Sequence, residues 1–500
     1  MTEEIKFGTD GWRAIIAEHF TFANVERVAY AIGMYAKNEY SLTGAEAKNK
    51  PILIGYDTRF LAEKFAERCA QILASIGIYA RVSTRDVPTP CIAYAVQKEP
   101  TAGAIQITAS HNPPQYCGIK YIPPYGGPAT PDITNSITSH LQDMPAPYEF
   151  ERCAVERFDP KASYIEALKK LVDMEALAKS GFSVGYDALY STSRGYLDQI
   201  LKEAGIKVAV LHDWRDPLFG GGMPEPKPEY LKELIELVKK EKLDVGLATD
   251  GDADRFAVID ETGAFLTANQ LLCLLTRHLV KNKKQKGAVV RTVCTTHLLD
   301  KLAKLYGLEL FETPVGFKYV GEMMRAHDVL IGGEESGGVS VKGHIPEKDG
   351  ILADLLVLEM IQYEGKPISQ IWKDLVAEVG SDFFARRGDL HLAQRMQKAL
   401  MEQLGEKPIA KLAGEDVVRV GRQDGLKLCI DDHTWVLIRP SGTEPVMRLH
   451  FEAPTADRVD RIFEDFHKQI NAIISDLDKV HAGTKGAALS CSSLPEPGWD

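Results

Sequence analysis

Residues 52–57, Ile-Leu-Ile-Gly-Tyr-Asp, reappear later in the chain as Phe-Ser-Val-Gly-Tyr-Asp at residues 182–187. Each stretch is followed by a helical pattern, a Gly-Ile pair and a second apolar strand. A weaker third copy starts at residues 288–293 and leads into a predicted helix over residues 298–306. Strands that alternate with helices at this spacing are typical of α/β units. The sequence therefore predicts three similar α/β domains.

Each copy then runs into one further strand, and each of these strands ends in an unusual polar motif. The motifs are Thr-Ala-Ser-His-Asn-Pro at residues 108–113, Asp-Gly-Asp-Ala-Asp-Arg at residues 250–255 and Gly-Gly-Glu-Glu-Ser-Gly-Gly at residues 332–338. Ligands of α/β sheets bind at the carboxyl ends of strands. We therefore expect these three loops, named here the serine, aspartate and glutamate loops, to face one shared cleft.

After Gly380 the pattern changes to a helix, several short strands and a final helix, which is typical of an α+β domain. The predicted elements are a helix over about residues 390–404, strands at residues 417–420, 426–430, 435–438 and 447–452, and a helix from residue 457 to about 474. The fold class is thus three similar mixed-sheet α/β domains and a C-terminal α+β domain around a central cleft. The predicted boundaries are residues 1–150, 151–262, 263–380 and 381–482, with a disordered polar tail at residues 483–500.

Composition and charge exclude several kinds of partner. The 500 residues carry a net charge of −11, which repels nucleic-acid backbones and anionic membrane surfaces. The sequence shows no apolar signal core and no run of membrane-spanning length. The eight cysteines are scattered without metal-binding spacing, as expected of buried thiols in a reducing compartment. We expect a cytoplasmic protein without a nucleic-acid or membrane partner.

The aspartate loop is the strongest chemical signal in the chain. Asp250, Asp252 and Asp254 alternate directly after an apolar run, so in an extended backbone they point to one side. Three carboxylates at one point require a cation between them. Oxygen ligands suit Mg²⁺, and three carboxylates leave coordination positions of the ion open for a phosphate oxygen. A solvated acidic turn is the alternative, which would explain two aspartates better than three.

A calcium loop is the nearest rival, because Glu261 is the acid at the twelfth position of that pattern. The sixth position needs a glycine for a sharp turn, whereas this chain has Arg255 there. The flanking residues also indicate strands, and a calcium loop of that kind lies between helices. The sequence therefore excludes the calcium loop.

The serine loop places Ser110 where a strand gives way to a turn. A serine in such a turn commonly bonds only the nearby backbone. Beside a metal site it can instead act as a nucleophile or carry a phosphate that completes the coordination of the metal. His111 and Lys120 are close enough in sequence to move a proton or bind phosphate, although each alone is also an ordinary surface residue.

Two other loops carry groups suited to a sugar phosphate. Glu334 and Ser336 can bond sugar hydroxyls, and a flexible acidic loop is the alternative interpretation. The second loop combines a guanidinium, hydroxyls and backbone N–H groups into a phosphate nest, for which a hairpin turn is the alternative. Its residues are Arg439, Ser441, Gly442 and Thr443. His344 and Lys348 lie at a predicted helix start.

These motifs, in this order, resemble the phosphoglucomutase/phosphomannomutase branch of the α-D-phosphohexomutase superfamily. The resemblance runs from Gly-Thr-Asp-Gly-Trp-Arg at residues 8–13 to the loop at Arg439, and it excludes the tail. It implies four domains around a central cleft and an enzyme that carries phosphoserine at Ser110. The implied ligands of Mg²⁺ are Ser110, through its phosphate, and Asp250, Asp252 and Asp254.

The resemblance also assigns roles to the remaining residues. Glu334 and Ser336 would bind sugar hydroxyls. The phosphate that is not reacting would be held by Arg439, Ser441, Gly442 and Thr443. Substrate-binding positions of the family's cleft are matched by Arg13, Asp254, Arg255, Thr313 and Lys348. Cys117 stands where the family often has Asn, and Gly338 where some members have His. The candidate bases are therefore Lys120 first, and then His111, Lys348 and His344.

The implied reaction interconverts a hexose 1-phosphate and a hexose 6-phosphate. Phosphoserine gives its phosphoryl group to the free sugar hydroxyl, and the resulting hexose 1,6-bisphosphate, which also serves as activator, turns round and returns the other phosphate. Glucose is the expected sugar, because the glutamate loop lacks the Ser-Gly-His ending of dual glucose/mannose enzymes, and mannose is a second possible substrate. The alternatives are a phosphoglucosamine mutase, a metal-assisted sugar-phosphate phosphatase and a silent sugar-phosphate binding protein. The oligomeric state stays open.

Overall fold

The computed structural model describes residues 5–8, 10–43, 48–151, 153–441 and 446–482. These residues divide into two compact units. The first unit contains the chain up to residue 290 with residues 308–311 and 316–375, and the second contains residues 291–307, 312–315 and the described residues after 375. The predicted tail at residues 483–500 lies outside the described residues. The chain passes between the units more than once, and the predicted domain boundaries stay predictions.

The first unit begins with a six-stranded sheet. Its strands are β1 (Trp12–Ile15), β2 (Ile52–Tyr56), β3 (Ala80–Ser83), β4 (Ala104–Ile107), β5 (Tyr116–Ile122) and β6 (Glu156–Phe158). They lie in the order β1-β5-β4-β2-β3-β6. β2 runs parallel to both β3 and β4, whereas β4 and β5 are antiparallel. The sheet is therefore mixed, as predicted.

Two further sheets repeat this arrangement. The second contains β7 (Ser183–Asp187), β8 (Lys207–Leu211), β9 (Val245–Thr249), β10 (Phe256–Ile259) and β11 (Phe265–Leu266). The third contains β12 (Ala288–Thr292), β13 (Leu310–Thr313), β14 (Val329–Gly333) and β15 (Val339–Val341). The order β5-β4-β2-β3 of the first sheet recurs as β10-β9-β7-β8 and as β15-β14-β12-β13. This common order confirms the predicted α/β repeats.

Helices alternate with these strands, as the sequence pattern predicts. Their bounds are Phe22–Tyr40, Ala62–Ser75, Thr89–Lys98, Pro131–Ser139, Lys161–Leu171, Met174–Ala178, Leu197–Glu203, Lys232–Glu241, Ala268–Lys281, Leu298–Tyr306, Phe317–Ala326, Gly350–Glu364 and Ile368–Val379, with a 3₁₀ helix at Phe219–Gly221. The helix predicted over residues 298–306 is confirmed. Local sequence fixes such boundaries: Thr267 and Gln270 bond each other's backbone N–H groups and so begin the helix Ala268–Lys281.

The second unit contains an antiparallel sheet and a two-stranded ribbon. Its strands are β16 (Phe384–His391), β17 (Lys411–Leu412), β18 (Glu415–Asp416), β19 (Arg419–Gly421), β20 (Leu426–Cys429), β21 (Trp435–Pro440) and β22 (Val446–Ala453). The sheet has the order β16-β22-β21-β20-β19, and the ribbon pairs β17 with β18. Two helices, Gln394–Glu406 and Ala456–Ala482, contribute to its hydrophobic core with side chains such as Leu400 and Phe466.

The predicted strands of this unit begin and end within two residues of the prediction, whereas two helix ends differ more. Leu390 was expected to start a helix, but it pairs with Met447 between β16 and β22, and the helix begins only at Gln394. Pairing within the sheet thus overrides the helical pattern of the sequence at this position. The final helix continues to Ala482, beyond the predicted end near residue 474.

The helix Gly350–Glu364 is enclosed on every side as far as Ile361. All residues from Gly350 to Ile361 are buried. The buried carboxylate of Glu359 is paired with His278 at 2.8 Å and with Lys283 at 2.6 Å. Paired in this way, a charge can be tolerated inside the core.

Among the described residues, no helix combines the length and the apolar character needed to cross a membrane. The described cysteines are buried except for Cys153. Buried thiols serve as small apolar core residues, as the sequence analysis expected.

Candidate active site

The serine, aspartate and glutamate loops lie at the ends of three equivalent strands, β4, β9 and β14. The Ser110 hydroxyl donates a hydrogen bond to Asp250 at 2.9 Å, which joins the first two loops. Arg255 forms a β-bridge with Gly338, which joins the second and third loops. The first unit therefore brings together the three motifs that the sequence selected.

Asp250, Asp252 and Asp254 direct their carboxylates to one place. One oxygen from each lies within 4.8 Å of the other two, and all three residues are buried. The backbone is a turn, not the extended strand that the sequence analysis assumed, because Ala253 is left-handed at φ 60°. Asp250 Oδ1 closes the turn by accepting from the N–H groups of Asp254 at 3.0 Å and Arg255 at 3.1 Å. The carboxylates converge by a different backbone geometry from the one expected.

The hydrogen bonds that these carboxylate oxygens make, or lack, indicate whether the three aspartates could hold a cation. Within the described part of the chain, Asp252 Oδ1 and Asp254 Oδ1 are buried and accept no hydrogen bond. Burial, reinforced by Asp254 and Asp252, raises the pKa of Asp250 well above its usual range. Buried carboxylate oxygens without partners are costly, and a divalent cation would satisfy them. The oxygen donors fit a hard ion such as Mg²⁺.

Ser110 is almost fully buried, at 2% exposure, and has a left-handed backbone at φ 50°. Residues with a side chain rarely adopt this conformation, so surrounding contacts must hold it. Its N–H donates to the Thr108 hydroxyl at 2.9 Å, and its Oγ lies 3.3 Å from Nδ1 of His111. Burial, followed by cations such as Arg255 and Arg13, lowers the pKa of His111 well below its usual range. The hydroxyl thus lies between the aspartate loop and an imidazole.

Lys120, on β5, is buried among carboxylates. Its Nζ lies 2.7 Å from Asp10, 2.9 Å from Asp252 and 3.2 Å from Asp254. Burial opposes the charge of the ammonium, but these three carboxylates outweigh burial and raise the pKa of Lys120 well above its usual value. The ammonium therefore offsets part of the negative charge of the aspartate loop.

Asp10 is a site residue that the sequence analysis did not select. It lies 2.7 Å from Lys120, 3.8 Å from Arg13 and 4.0 Å from Lys348, and so connects three cations. Burial opposes its ionisation, yet Lys120, Lys348 and Arg13 together lower its pKa to about 2. The sequence did offer one indication of Asp10: it lies within residues 8–13, the motif at which the family resemblance begins.

Lys348, Arg13 and Arg255 lie around the same loops, at positions that the resemblance assigned to substrate. Lys348 Nζ is 3.1 Å from Asp254, and Asp254 and Glu347 raise the pKa of Lys348 against the effect of burial. Arg13 donates to Asn112 of the serine loop at 2.6 Å. Arginine and lysine side chains of this kind are suited to binding a phosphate.

Thr89 and Glu347 also contact the site, although no motif marks them. The Thr89 hydroxyl donates to Asp252 at 2.6 Å, and Glu347 lies 3.7 Å from Lys348. Burial raises the pKa of Glu347 to about 8, with Lys348 acting against it. Only the fold brings these residues to the aspartate loop.

Glu334 and Ser336 lie side by side on the glutamate loop. The Ser336 hydroxyl donates to Glu334 Oε2 at 3.4 Å, and Glu334 Oε1 accepts from the N–H of Gly316 at 3.0 Å. Burial raises the pKa of Glu334 to about 7, while Lys348 acts against it. The pair offers a carboxyl group and a hydroxyl that can bond the hydroxyls of a sugar.

His344, a candidate base in the sequence analysis, is bonded elsewhere. Its Nε2 lies 2.7 Å from Asp349, and Tyr164 donates to the same carboxylate at 2.7 Å. Asp349 also caps the helix Gly350–Glu364 by accepting from the N–H of Leu352. His344 therefore belongs to a helix cap, and the other three candidate bases lie at the site.

The second unit contains the arginine of the predicted phosphate nest. Arg439 lies on β21, where its Nε is 3.2 Å from Asp424 and its backbone pairs with Arg448 of β22. Burial, followed by Arg387, Arg439 and Arg448, lowers the pKa of the neighbouring His450 well below its usual range. Arginines gathered on the three adjacent strands β16, β22 and β21 are suited to binding a phosphate.

The other predicted residues of this unit are only partly described. The backbone N–H of Ser441 donates to Val446 at 2.8 Å. Gly442 and Thr443 lie outside the described residues. Thr313 is buried on β13, and its hydroxyl donates to the carbonyl of Pro314 at 3.1 Å. The phosphate nest thus stays a prediction.

Four family models match the chain, each describing a domain of phosphoglucomutase/phosphomannomutase. They are the alpha/beta/alpha domain I at residues 4–146, domain II at residues 162–263, domain III at residues 267–379 and the C-terminal domain at residues 393–469. The chain belongs to the phosphoglucomutase/phosphomannomutase family. The four matches confirm the resemblance and the four-domain architecture of the family.

Relatives resemble the chain over nearly its whole length. A “Phosphoglucomutase/phosphomannomutase” of Thermococcus kodakarensis is 30% identical, over 92% of this chain and 96% of the relative. A “Probable phosphoglucosamine mutase” of Pyrococcus horikoshii is 30% identical, over 94% of this chain and 99% of the relative. The crystal structure of a candidate phosphomannomutase from Thermus thermophilus is 33% identical with a TM-score of 0.81, and the match covers 94% of this chain and 100% of that chain.

Family membership establishes the general activity. The protein is a phosphosugar mutase, an isomerase of carbohydrate metabolism that moves a phosphoryl group within a sugar phosphate. Such enzymes depend on a metal ion, and the buried aspartate triad is a group that could hold one. Small sugar phosphates are accordingly its partners.

Proposed function

We propose that the protein interconverts a hexose 1-phosphate and the corresponding hexose 6-phosphate, with glucose as the preferred sugar. One observation supports this more than any other. The Ser110 hydroxyl donates to Asp250 inside a group of three carboxylates, two of which have buried oxygens without hydrogen bonds among the described residues. A hydroxyl beside a metal-binding group can accept and return a phosphoryl group.

Ser110 is proposed to carry that phosphoryl group. In the first half of the cycle, the free hydroxyl of the sugar monophosphate attacks phosphorus, the bond from phosphorus to Ser110 Oγ breaks, and hexose 1,6-bisphosphate forms. In the second half, the other phosphate moves to Ser110, so the sugar leaves with one phosphate and the enzyme is phosphorylated again. Hexose 1,6-bisphosphate would also restore an enzyme that has lost its phosphate, which explains its expected action as activator.

Asp250, Asp252 and Asp254 are proposed to hold Mg²⁺, with a phosphate oxygen on Ser110 as a further ligand. Bound there, Mg²⁺ offsets the negative charge of the phosphoryl group during transfer. Lys120 supplies positive charge to the same loop from 3.2 Å, measured between its Nζ and Asp254. The loop can therefore accept a negatively charged substrate.

A base must take the proton of the attacking sugar hydroxyl. Lys120 is proposed first, because its Nζ lies at the aspartate loop, 2.9 Å from Asp252. The surrounding carboxylates favour its protonated form, so it would act as base once a cation held by the aspartates offsets their charge. His111 is the second candidate, because its ring lies 3.3 Å from Ser110 Oγ. Lys120→Met and His111→Gln distinguish the two candidates. The variant that lacks the base should have a lower kcat and an unchanged KM, and its pH–rate profile should lack one limb.

Glu334 and Ser336 are proposed to bond the sugar hydroxyls at C3 and C4, beside Arg13, Arg255 and Lys348. Glucose and mannose share these hydroxyls and differ at C2. A pocket that is not built to bond one hydroxyl rejects its misplacement only weakly, so activity on mannose phosphate is expected. Phosphoglucosamine mutase activity is the second candidate, because a relative with 30% identity carries that name.

Arg439, Ser441, Gly442 and Thr443 are proposed to hold the phosphate that is not reacting, and Thr313 is proposed to line the substrate-binding cleft. A bidentate contact between a guanidinium and phosphate contributes about 1.5–3 kcal/mol, so Arg439→Ala should weaken substrate binding and release more bisphosphate before it turns round. Trapping of released bisphosphate measures this. Arg461→Ala, which removes an exposed arginine paired with Asp457 on the final helix, is the control.

A substrate panel tests the choice of sugar. The values of kcat/KM for glucose, mannose and glucosamine 1-phosphates are measured with Mg²⁺ and a catalytic amount of hexose bisphosphate. We expect glucose 1-phosphate to give the highest value. A clear preference for either of the others would overturn the choice of sugar, and release of inorganic phosphate without isomerisation would indicate a phosphatase.

A further inference from the structure

Arg59 lies directly behind the serine loop and has no solvent exposure. Its guanidinium has five N–H donors, and every one of them is used. The bonds are Nε to Asp57 at 3.1 Å, Nη1 to the carbonyls of Pro113 at 2.8 Å and Tyr116 at 2.9 Å, and Nη2 to the carbonyls of Ser110 at 2.7 Å and Asn112 at 2.6 Å. A single side chain therefore binds four carbonyls of one short segment, residues 110–116.

Asp57 fixes the orientation of this guanidinium. Its Oδ2 accepts from Arg59 Nε, and its Oδ1 accepts from the backbone N–H of Arg59 at 2.9 Å. The ring of Phe219 covers the guanidinium at 5.1 Å. Arginine presents its donors in a rigid planar fork, whereas lysine has one nitrogen on a flexible stem. Lysine in this place cannot reach four carbonyls at once.

The serine loop needs such support for two reasons. Ser110 has a left-handed backbone at φ 50°, which is unfavourable for a residue with a side chain. The Ser110 carbonyl is also pressed against the aspartate loop, since a Cβ placed on Gly251 would lie 2.5 Å from it. The same carbonyl accepts from Arg59. The position of the serine relative to the aspartates thus depends on how this carbonyl is held.

We propose that Arg59 is a positioning residue that keeps the Ser110 hydroxyl aligned with the aspartate triad for phosphoryl transfer. The inference rests on the proposed role of Ser110 as phosphoryl carrier. Arg59 bonds the carbonyl of Ser110 and not its hydroxyl, so it acts through the backbone of the loop. Its loss should therefore slow transfer and leave sugar binding largely unchanged.

Arg59→Lys tests the proposal, because it keeps a positive charge and removes the fork. We expect kcat to fall about 100-fold, as is typical when a reacting group is displaced by about 1 Å. The KM for the sugar phosphate should stay within about threefold of the wild-type value. Single-turnover transfer from phosphorylated enzyme, normalised to phosphoserine content by intact mass, should fall by the same factor as kcat. Methylguanidinium should restore part of the activity of Arg59→Ala.

Arg277→Lys is the matched control. Arg277 is also a buried arginine of the first unit, bonded to Glu364 at 2.7 Å on a helix that does not carry the serine loop. Its replacement should lower thermal stability and leave the normalised single-turnover rate unchanged. If Arg59→Lys fails to fold, Asp57→Asn removes the carboxylate that orients the guanidinium, and the same normalised rate should fall about tenfold.

An unchanged normalised rate in Arg59→Lys, with the loss confined to thermal stability, would overturn the proposal. If Arg59→Lys does not fold, an unchanged normalised rate in Asp57→Asn would overturn the proposal. If Ser110 is not the phosphoryl carrier, the result is different: Ser110→Ala would keep its turnover, whatever rate the Arg59 variants show.

Discussion

The two Gly-Tyr-Asp strands, β2 with the following Asp57 and β7 ending at Asp187, are alike in sequence and topology but differ in what their aspartates bond. In both, Oδ1 accepts the N–H of the residue two positions later, Arg59 at 2.9 Å and Leu189 at 2.8 Å. Aspartate commonly closes a turn in this way. The further partner differs: Asp57 bonds the guanidinium of Arg59, whereas Asp187 bonds the ring of His212 at 2.8 Å.

This difference shows how one repeated unit supports two uses. After bonding Asp57, the guanidinium has four further donors. Three of them reach carbonyls of the serine loop, and the fourth reaches the carbonyl of Tyr116 at the start of β5. The imidazole of His212 has one further nitrogen, which lies 3.6 Å from the exposed Glu233. The shared strand and turn build the fold. The residue that bonds the aspartate, Arg59 or His212, decides whether that copy supports the serine loop.

Substitutions in the aspartate loop should lower activity more than substitutions in the turns at Asp57 and Asp187. Replacing Asp250, Asp252 or Asp254 by Asn should lower kcat about 100–1000-fold and raise the Mg²⁺ concentration needed for half-maximal activity, since each carboxylate is a proposed ligand. Mg²⁺ titrations of the three variants measure this. Asp260→Asn is the control, because Asp260 is a buried aspartate that closes the neighbouring hairpin. An unchanged metal requirement in all three variants would show that the loop is structural only.

A smaller effect tests the two turns against each other. Asp57→Asn should lower kcat about tenfold, because the carboxylate that orients Arg59 is lost, whereas Asp187→Asn should change kcat less than about twofold. Both variants remove one charge from the same kind of turn, so each serves as the control of the other. Steady-state kinetics and thermal unfolding are measured together. Equal losses of kcat in the two variants would contradict the difference between the copies.

The sequence predicted the repeats and the three loops because these signals are local. Strand patterns, Gly-Ile pairs and polar strand ends can be recognised within a few tens of residues. Arg59 was not predicted, because its carbonyl partners lie 51 to 57 residues further along the chain. Only the parallel pairing of β2 with β4 brings these segments together.

The conformation of the aspartate loop shows a second limit. Alternation of Asp250, Asp252 and Asp254 predicted convergence from an extended strand, but the observed turn depends on Ala253 in a left-handed conformation. The N–H groups of the turn are satisfied by Asp250 itself, which alternation alone does not reveal. The carboxylates converge as predicted, but the prediction assumed an extended backbone that the chain does not adopt here.

The smallest expected effect concerns the pH dependence of the second turn. The hydrogen bond to Asp187 raises the pKa of His212, with burial acting against it. Because the folded-state pKa lies above the unfolded value, the protonated pair stabilises the fold fully below about pH 6.5 and loses this contribution as pH rises through the folded-state pKa. His212→Gln should therefore lower the unfolding temperature by about 1–2 °C near pH 6 and have little effect above about pH 8.

Thermal unfolding of wild type and variant across this pH range measures the effect. His327→Gln, which replaces an exposed histidine, is the control and should follow the wild-type curve. A constant difference between His212→Gln and wild type at all pH values would show that the ring contributes by packing and not by its charge.

We propose above all that Ser110 carries the phosphoryl group, and mass spectrometry can detect that group. Purified protein is incubated with glucose 1,6-bisphosphate and Mg²⁺, and the intact mass and the peptide containing Ser110 are measured. Ser83→Ala is the control, because Ser83 is a buried serine of β3 whose hydroxyl has no hydrogen bond among the described residues. We predict one phosphoryl group on Ser110 in wild type and Ser83→Ala, and neither phosphate nor turnover in Ser110→Ala. Undiminished turnover in Ser110→Ala would show that Ser110 does not carry the phosphoryl group.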